Sequence, residues 1–284
     1  VGLLTDPEQH NTRILITSSE TPGLADFGDV MTVTALLNRY RGQWLISLLE
    51  ENRLSSVAQP IVGAADRETF GHEMLLRGID VDGSSVSPVT LFESASDAQI
   101  LFNLDRQARI SAVEVAARHL KDGKVFINFM PGSVYDPETC LRTTVNAAAI
   151  HDISPDRIVF EIVESDKFTD IKHLNGIMKF YRRAGFQVAL DDFGSGFNNI
   201  STFLSLEPDY IKLDKSVVHD ASRDAGKMDM VRAFIKEARR AQCKVLAEGI
   251  ETEEMAVSMH DAGVDFMQGF FFGRPMPFDE TATG

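Results

Sequence analysis

The feature that most restricts the fold of this chain is a regular alternation of short apolar runs with longer amphipathic segments. The apolar runs have the length of buried strands, and they are Val57–Val62, Glu73–Leu76, Val125–Asn128, Ile158–Ile162, Val188–Leu190, Tyr210–Leu213, Val245–Ala247 and Phe266–Met267. Most of the intervening segments have helical periodicity, and these are Leu104–Leu120, Ile171–Ala184, Met228–Ala241 and Thr252–Ala262. Eight strands alternating with helices over roughly 250 residues predict an α/β protein with a (β/α)8 TIM-like barrel.

The first two apolar runs are too close together for a crossover helix, which predicts a hairpin with a turn around Ala64–Thr69. The first barrel strand is therefore expected to run antiparallel to the others. An open doubly wound sheet is the alternative, but no glycine-rich nucleotide fingerprint follows the first strand. Upstream, Val30–Glu51 has the apolar spacing of an amphipathic helix, and Thr12–Thr17 resembles one short strand. We therefore expect an N-terminal helical extension or linker over residues 1–35 and a barrel over residues 36–284.

Charge and cysteine usage restrict the partners and the setting. The formal net charge of −14 at pH 7 argues against a nucleic-acid polymer as the partner, but a phosphate-bearing ligand remains compatible if divalent cations are bound. Cys140 and Cys243 lie far apart and form no metal-binding spacing, which predicts a reducing, cytoplasmic setting. No apolar run of about 18 residues occurs, so no membrane contact is expected. The chain begins at Val1, and we expect a sensory or regulatory domain outside it.

Polar side chains stand at the carboxyl ends of nearly all the predicted strands, where barrel enzymes form their active sites. They are Glu73, Asn128, Glu161, Asp191, Asp192, Lys212, Glu248 and Gln268, with Glu164 and Glu251 slightly further along the chain. Any one of them could be a helix cap, and an isolated Asp-Asp pair is more typical of a solvated turn. Their recurrence from strand to strand favours a shared site.

The residue types at these strand ends indicate a particular chemistry. Carboxylate and amide oxygens are hard ligands that suit Mg²⁺ or Mn²⁺, and no cluster of histidines or cysteines competes for zinc. Several converging carboxylates suggest two metal ions acting in phosphoryl hydrolysis. One carboxylate would then remain as general base, and the lysine would hold the attacking water or neutralise developing charge. His72 lies beside Glu73, and strand alternation directs it away from the site.

An ordered set of motifs resembles the EAL-domain family of cyclic-di-GMP phosphodiesterases, from about Leu36 to Pro277. The matching segments are Gln59–Val62, Glu73–Arg77, Leu104–Arg106, Phe126–Asn128, Glu161–Glu164, Asp191–Gly196, Ile211–Asp214, Ala247–Thr252, Gln268-Gly269 and Arg274-Pro275. Two departures occur: Met74 stands where the signature has alanine, and Gly78 stands where many members carry tryptophan. The resemblance implies hydrolysis of the bacterial second messenger cyclic di-GMP to linear 5'-pGpG, with two Mg²⁺ or Mn²⁺ ions per site.

The resemblance also implies a role for each matching residue. Those implied to hold metal are Glu73, Asn128, Glu161 and Asp191 for the first ion and Asp191 with Asp192 for the second. Those implied to act in catalysis are Glu248 as general base on a metal-bound water, Lys212 beside that water, Glu164 as anchor of the glycine loop after Asp192, and Glu251 in the metal-water network. Those implied to bind substrate are Gln59, Leu75, Arg77, Asp214, Gln268 and Pro275, with Gln268 also supporting the metal-water network.

The same motifs are compatible with two other functions. A catalytically silent cyclic-di-GMP receptor that signals through a protein partner is the main alternative, and an unrelated barrel phosphoesterase or enolising enzyme is the next. The triplet Asp192-Phe193-Gly194 also occurs in protein kinases, but the kinase phosphate loop and catalytic loop are missing. The family resemblance implies a bacterial cytoplasmic homodimer with Phe197–Ile200 near the contact, and Phe203 is either a further contact residue or a core residue.

Overall fold

The computed structural model describes residues 4–15, 30–134, 136–162, 171–194, 203 and 205–278. The chain divides into two compact units, Val1–Leu54 with Gly78–Leu104 and Ser55–Arg77 with Asp105–Gly284. The boundary at residue 35 that the sequence suggested stays a prediction. Within the described ranges, no helix combines the length and the apolar character needed to cross a membrane.

The first unit contains short helices and strands. They are α1 (Asp6–Asn11), β1 (Arg13–Ile14), β2 (Met31–Thr32), α2 (Val33–Arg41), α3 (Gln43–Glu50), β5 (Ser85–Val86) and α4 (Pro88–Asp97). The prediction of one helix over Val30–Glu51 is wrong, because the chain leaves helical geometry at Gly42, where α2 ends and α3 begins. Helix α4 was not predicted, although Ser87 caps it by accepting a hydrogen bond from the Thr90 amide.

Eight strands form the barrel. They are β3 (Leu54–Gly63), β4 (Thr69–Ile79), β6 (Lys124–Phe129), β7 (Ile158–Ile162), β8 (Gln187–Phe193), β9 (Tyr210–Leu213), β10 (Lys244–Ala247) and β11 (Phe266–Gln268). They follow the order β3-β11-β10-β9-β8-β7-β6-β4, and a pairing of β3 with β4 closes the ring. Strand β3 is antiparallel to β11, whereas each neighbouring pair in the run β11-β10-β9-β8-β7-β6-β4 is parallel. The predicted barrel and its antiparallel first strand are confirmed.

Helices follow most of the barrel strands. The described ones are α5 (Leu101–His119), α6 (Pro137–Cys140), α7 (Arg142–Ile150), α8 (Ile171–Arg183), α9 (Lys215–Ala221), α10 (Ala225–Arg240) and α11 (Glu253–Ala262). The longer ones match predicted segments to within a few residues. The short helices α6, α7 and α9 were not predicted.

The barrel interior changes from apolar to polar along its strands. One layer of buried core residues comprises Ile61, Phe126, Val159, Ala189, Tyr210 and Leu246. Side chains that are two residues apart in a strand share a face, so the next layer toward the carboxyl ends comprises Asn128, Glu161, Asp191, Lys212 and Glu248. In antiparallel β3 the same step runs backwards, from Ile61 to Gln59. The apolar layer is thus the floor of a polar site.

Strand β8 contains an irregularity where the two adjacent aspartates stand. Its register with β9 shifts between Leu190 and Phe193, and Asp192 has a φ of 51° in the left-handed region. Aspartate enters this region more readily than most other residues do. In a regular strand, adjacent side chains point to opposite faces, whereas a bulge can re-aim one of them. This bulge accounts for both aspartates lying near the same group of carboxylates.

Candidate active site

Lys212 lies at the centre of a ring of carboxylates at the mouth of the barrel. Its side chain is 1% exposed, and its Nζ lies 2.8 Å from Glu161 Oε1, 2.8 Å from Glu248 Oε1, 3.2 Å from Asp191 Oδ1 and 3.7 Å from Glu73 Oε1. The four partners come from four different strands or strand ends, so barrel closure is what brings them together. One cation facing four carboxylates leaves a large excess of negative charge.

Glu73 is held by a chain of amide hydrogen bonds that crosses the barrel mouth. Asn128 Nδ2 donates to Glu73 Oε1 at 2.9 Å, and Gln268 Nε2 donates to Glu73 Oε2 at 2.7 Å. Gln268 Nε2 also donates to Gln59 Oε1 at 3.2 Å, and Gln59 Nε2 donates to the Gly273 carbonyl at 3.1 Å. Both oxygens of Glu73 therefore have defined orientations before any ligand binds.

A second group of carboxylates lies beside this ring. One oxygen from each of Asp191, Asp192 and Glu248 lies within 4.8 Å of the others, close enough to hold a metal ion together. The Asp192 amide donates to Asp191 Oδ1 at 2.9 Å, so the bulge orients the Asp191 carboxylate directly. Among the described residues, this is the group of three acidic side chains that meets the spacing for a shared ion.

Burial and mutual repulsion shift the acidities of the site. Burial, followed by the charges of Asp191 and Glu73, raises the pKa of Glu248 to about 8 although Lys212 opposes the change. Burial and Asp191 raise the pKa of Asp192 to about 6. Burial also raises the pKa of Glu161 well above its ordinary value, with Glu73 adding to the effect. At pH 7 Glu248 is therefore mostly protonated and Asp192 mostly ionised, and added positive charge would favour the ionised form of all three carboxyls.

For Glu73 and Lys212, nearby charges and hydrogen bonds outweigh the effect of burial on the pKa. Burial would raise the pKa of Glu73, but Lys212, Asn128 and Gln268 outweigh it and hold that pKa below the ordinary value. Burial would likewise lower the pKa of Lys212, but the surrounding carboxylates, Asp191 first, hold it well above the ordinary value. Lys212 is therefore an ammonium group throughout the neutral range.

The donor set fits a hard divalent cation. Glu161 Oε2 is buried without a hydrogen-bond partner, and Oε1 has only the ion pair with Lys212. A buried carboxylate oxygen without a partner is costly unless an ion occupies its coordination direction. The surrounding donors are carboxylate and amide oxygens, which suit Mg²⁺ or Mn²⁺ better than softer metals. The residues present are therefore suited to the metal chemistry that their types predicted.

A cavity of about 330 Å³ opens onto these side chains. Its lining contains seven residues that the sequence singled out: Gln59, Glu73, Asp192, Asp214, Glu248, Glu251 and Gln268. It also contains Lys215 and Phe270, to which the sequence reasoning assigned no role. Their positions directly after the matched motifs Ile211–Asp214 and Gln268-Gly269 are the signal that could have found them.

The outer predicted residues have local roles in the structure. Asp214 Oδ1 accepts a hydrogen bond from the Ser216 amide at 2.8 Å and so caps α9. Arg77 Nη1 donates to the Leu76 carbonyl at 2.7 Å, and Leu75 and Pro275 are half-buried. Contacts of these four residues with a substrate stay predictions.

Two predicted features of the glycine loop lie outside the described residues, namely Glu164 and the segment 197–200. Phe203 is described: it is 1% exposed, and its ring lies 5.6 Å from that of Phe234. This is the core placement that was the alternative to a dimer contact.

A second cavity, of about 350 Å³ and mostly apolar, is lined by Phe193 at the end of β8 and by Phe234 of α10. It contains none of the carboxylates of the ring.

Comparison with known proteins identifies the family. The family model of the EAL domain matches residues 43–275. An uncharacterized signaling protein of Caulobacter vibrioides is 32% identical over 232 residues, which is 81% of this chain and 28% of that protein. The cyclic di-GMP phosphodiesterase PdeF of Escherichia coli is 26% identical over 250 residues, 87% of this chain and 32% of that protein. The chain thus spans about a third of the length of these curated relatives.

Solved structures lead to the same family. A standalone EAL protein of Vibrio cholerae, in a form bound to cyclic di-GMP, has 30% identity and a TM-score of 0.71, covering 79% of this chain and 92% of that one. Klebsiella pneumoniae BlrP1, in complex with manganese and cyclic di-GMP, has 28% identity and a TM-score of 0.72, covering 79% and 56% of the two chains. With the barrel, the strand-end carboxylates and the domain match in agreement, this chain belongs to the EAL domain family.

Proposed function

We propose that this chain is a phosphodiesterase that hydrolyses cyclic di-GMP to linear 5'-pGpG with two Mg²⁺ or Mn²⁺ ions. The observation that carries the proposal is a ring of carboxyl groups around Lys212, formed by Glu73, Glu161, Asp191 and Glu248. The ring lies at the carboxyl ends of the strands, where barrel enzymes have their active sites. The names of the relatives support the substrate, since PdeF is a cyclic di-GMP phosphodiesterase. The Vibrio cholerae protein is likewise solved with cyclic di-GMP.

Two sets of oxygen ligands would hold the ions. Glu73, Asn128, Glu161 and Asp191 would hold the first, and Asp191 would share the second with Asp192. The hydrogen bonds from Asn128 and Gln268 orient Glu73 for this role. When bound, a pair of divalent ions stabilises charge on the attacking and leaving oxygens of a phosphoryl transfer.

Glu248 and Lys212 would handle the proton and the charge of the attacking water. Glu248 is suited to be general base, because its pKa of about 8 in the metal-free site lies near the operating pH. Its Oε1 lies 2.8 Å from Lys212 Nζ, which fixes the direction of the carboxylate. The proton of the water would pass to Glu248, and the Lys212 ammonium would balance the negative charge that develops.

The substrate would lie in the cavity above the carboxylates. Gln59, Asp214 and Gln268 line it, and Leu75, Arg77 and Pro275 would complete the binding surface. Arg77 suits phosphate or guanine recognition, because its planar guanidinium donates two parallel hydrogen bonds. Glu164 would anchor the loop after Asp192, and Glu251, in the lining of the cavity, would support the water network.

Product separation after incubation with cyclic di-GMP and Mn²⁺ tests the proposal. We expect linear pGpG from the wild-type chain and at least about a hundredfold less in Glu73→Ala and Glu248→Ala, because each removes a group needed in the transition state. The exposed Glu254→Ala on α11 is the matched control and should retain activity. Full turnover in both site variants would overturn the assignment. Tight binding without turnover in saturating metal would instead favour the silent receptor.

Assembly and location are separate proposals. We propose a homodimer in the bacterial cytoplasm, with the contact near the loop after β8, and a regulatory domain elsewhere in the protein. Light scattering at the protein concentration of the assay tests the first point. A fully active monomer would remove the dimer from the mechanism.

A further inference from the structure

The peptide segment that follows Glu248 is held on one side by backbone hydrogen bonds. The Glu248 amide donates to the Leu213 carbonyl at 3.2 Å, and the Ile250 amide donates to the Gln268 carbonyl at 3.0 Å. The Ile250 carbonyl in turn accepts from the Phe271 amide at 3.0 Å. These bonds attach the segment to the end of β9 and to β11. They leave the Gly249 peptide to be held from the other side.

Helix α9 supplies that other side. His219 Nε2 lies 3.0 Å from the Gly249 carbonyl oxygen. A carbonyl can only accept, so Nε2 carries the proton and donates. Gly249 has a φ of 68°, and a Cβ added there would lie 2.5 Å from Lys215 Cβ, so α9 contacts this peptide too closely for any other residue. The imidazole and the helix backbone together define the position of the glycine.

We propose that His219 is a positioning residue for Glu248, an inference that rests on the proposed role of Glu248 as general base. Gly249 has wide conformational freedom, and the His219 bond is the side-chain contact that restrains its carbonyl in the described structure. A rotation of that peptide would turn the backbone that carries Glu248. Since Glu248 must meet both the attacking water and Lys212, a small rotation weakens proton transfer.

The same helix also links the base to the lysine. Helix α9 begins at Lys215, three residues after Lys212, with Asp214 as its cap. His219 is one turn further along α9 and contacts the segment that carries Glu248. Helix α9 therefore spans between the two partners of the 2.8 Å Lys212–Glu248 ion pair. A shift of the Gly249 peptide changes the geometry of that pair without removing a group from the cavity.

Substitutions at His219 separate positioning from packing. His219→Leu fills the position with an apolar side chain of similar size and removes the hydrogen-bond donor. His219→Gln restores an amide N–H near the Nε2 position, whereas the shorter His219→Asn does not. We expect His219→Leu and His219→Asn to lower kcat by about tenfold with KM within about twofold, because a misplaced base affects the chemical step more than binding. We expect His219→Gln to recover kcat to within about threefold of wild type.

Hydrogen–deuterium exchange on the whole of this chain, without metal, tests the structural half of the inference without relying on turnover. The Ile250 amide should exchange at least about tenfold faster in His219→Leu and near the wild-type rate in His219→Gln, because loss of the donor frees the segment to open. His260→Leu, an exposed histidine of α11, is the matched control and should change neither exchange nor kcat.

Each outcome of these experiments either supports or overturns the positioning role of His219. Unchanged Ile250 exchange in His219→Leu, or equal loss of kcat in the Leu and Gln variants, overturns the inference. A rise in KM at constant kcat also overturns it, since that would place His219 in substrate binding. If the wild-type chain does not turn over cyclic di-GMP, the proposed function fails, and the exchange result alone then decides whether His219 positions the segment.

Discussion

At the residue scale, Lys212 is unusual because it is a fully buried cation that forms ion pairs with four carboxyl groups. A charged side chain that is buried away from water needs an opposite charge beside it. If one partner of a buried ion pair is removed, the other remains buried without compensation, and the folded state is destabilised. In the metal-free protein Lys212 supplies the positive charge that divalent ions would otherwise bring. Its role in folding can therefore be measured separately from its role in catalysis.

We predict that Lys212→Met destabilises the metal-free protein by about 3–5 kcal/mol, because Glu73, Glu161, Asp191 and Glu248 lose the cation that they share. Urea unfolding followed by circular dichroism measures the change. Lys227→Met removes the cation of an exposed pair with Asp220 and should have little effect, since water and salt already screen that pair. Equal losses in the two variants would show that the buried ring does not depend on Lys212.

A second prediction at this scale concerns protons. Because the pKa of Glu248 is raised to about 8, this carboxyl is mostly protonated at pH 7 in the metal-free chain, and burial shifts the pKa of Glu161 in the same direction. Added cations favour the ionised forms, so Mg²⁺ binding should release protons and strengthen as pH rises from about 6 to about 8.

Calorimetry in two buffers with different ionisation heats measures the number of protons released. At pH 7 we expect about one proton or more per site, and fewer at pH 9, where Glu248 is already ionised. Glu248→Gln, which has no titrating carboxyl at that position, should release fewer protons than wild type at pH 7. Binding heats that are identical in both buffers would contradict the prediction.

At the scale of elements, the strands could be predicted and several local departures from regularity could not. Each of the eight barrel strands contains a short apolar run, so these runs located the strands, although β3 and β4 are longer than the runs that predicted them. Helices α6, α7 and α9 span four, nine and seven residues, too few turns to produce a clear amphipathic pattern. The bulge in β8 also escaped prediction, because the bulge depends on pairing with β9 rather than on local sequence. The carboxylates and the lysine of the ring were predicted; the way that the adjacent aspartates share one group was not.

Two glycines allow a matched test of how elements meet. A Cβ at Gly269 would overlap the backbone nitrogen and oxygen of Ile250, whereas a Cβ at Gly176 in α8 would meet nothing within 4 Å. We predict that Gly269→Ala destabilises the protein by about 1–3 kcal/mol through overpacking. Gly176→Ala should stabilise it by about 0.5–1 kcal/mol through helix propensity.

Thermal unfolding of the two variants beside wild type measures both changes. Opposite signs would confirm that β11 and the segment after Glu248 touch through backbone atoms. A neutral Gly269→Ala would mean that the two backbones can separate without cost, and would weaken the case that this contact positions the base.

At the scale of the whole molecule, the distribution of charge separates this chain from proteins that bind nucleic-acid polymers. The net charge is −14, and the candidate site itself is acidic. A basic protein attracts phosphates over long distances, and salt weakens that attraction. Here an anionic dinucleotide would approach a surface that repels it, and attraction would begin only near the bound cations. The sequence composition predicted this feature as well as the structure does, because net charge does not depend on the fold.

The long-range repulsion leads to a prediction about salt. At saturating Mn²⁺, raising the ionic strength from about 0.01 M to about 0.15 M should increase kcat/KM for cyclic di-GMP by about twofold or more, because screening shortens the range of the repulsion from about 30 Å to about 8 Å. Turnover at saturating substrate should change little, since approach no longer limits it. Steady-state kinetics across a sodium chloride series measures both quantities. A kcat/KM that falls with salt would instead reveal a local basic path to the site, with Arg77 and Lys215 the first residues to substitute.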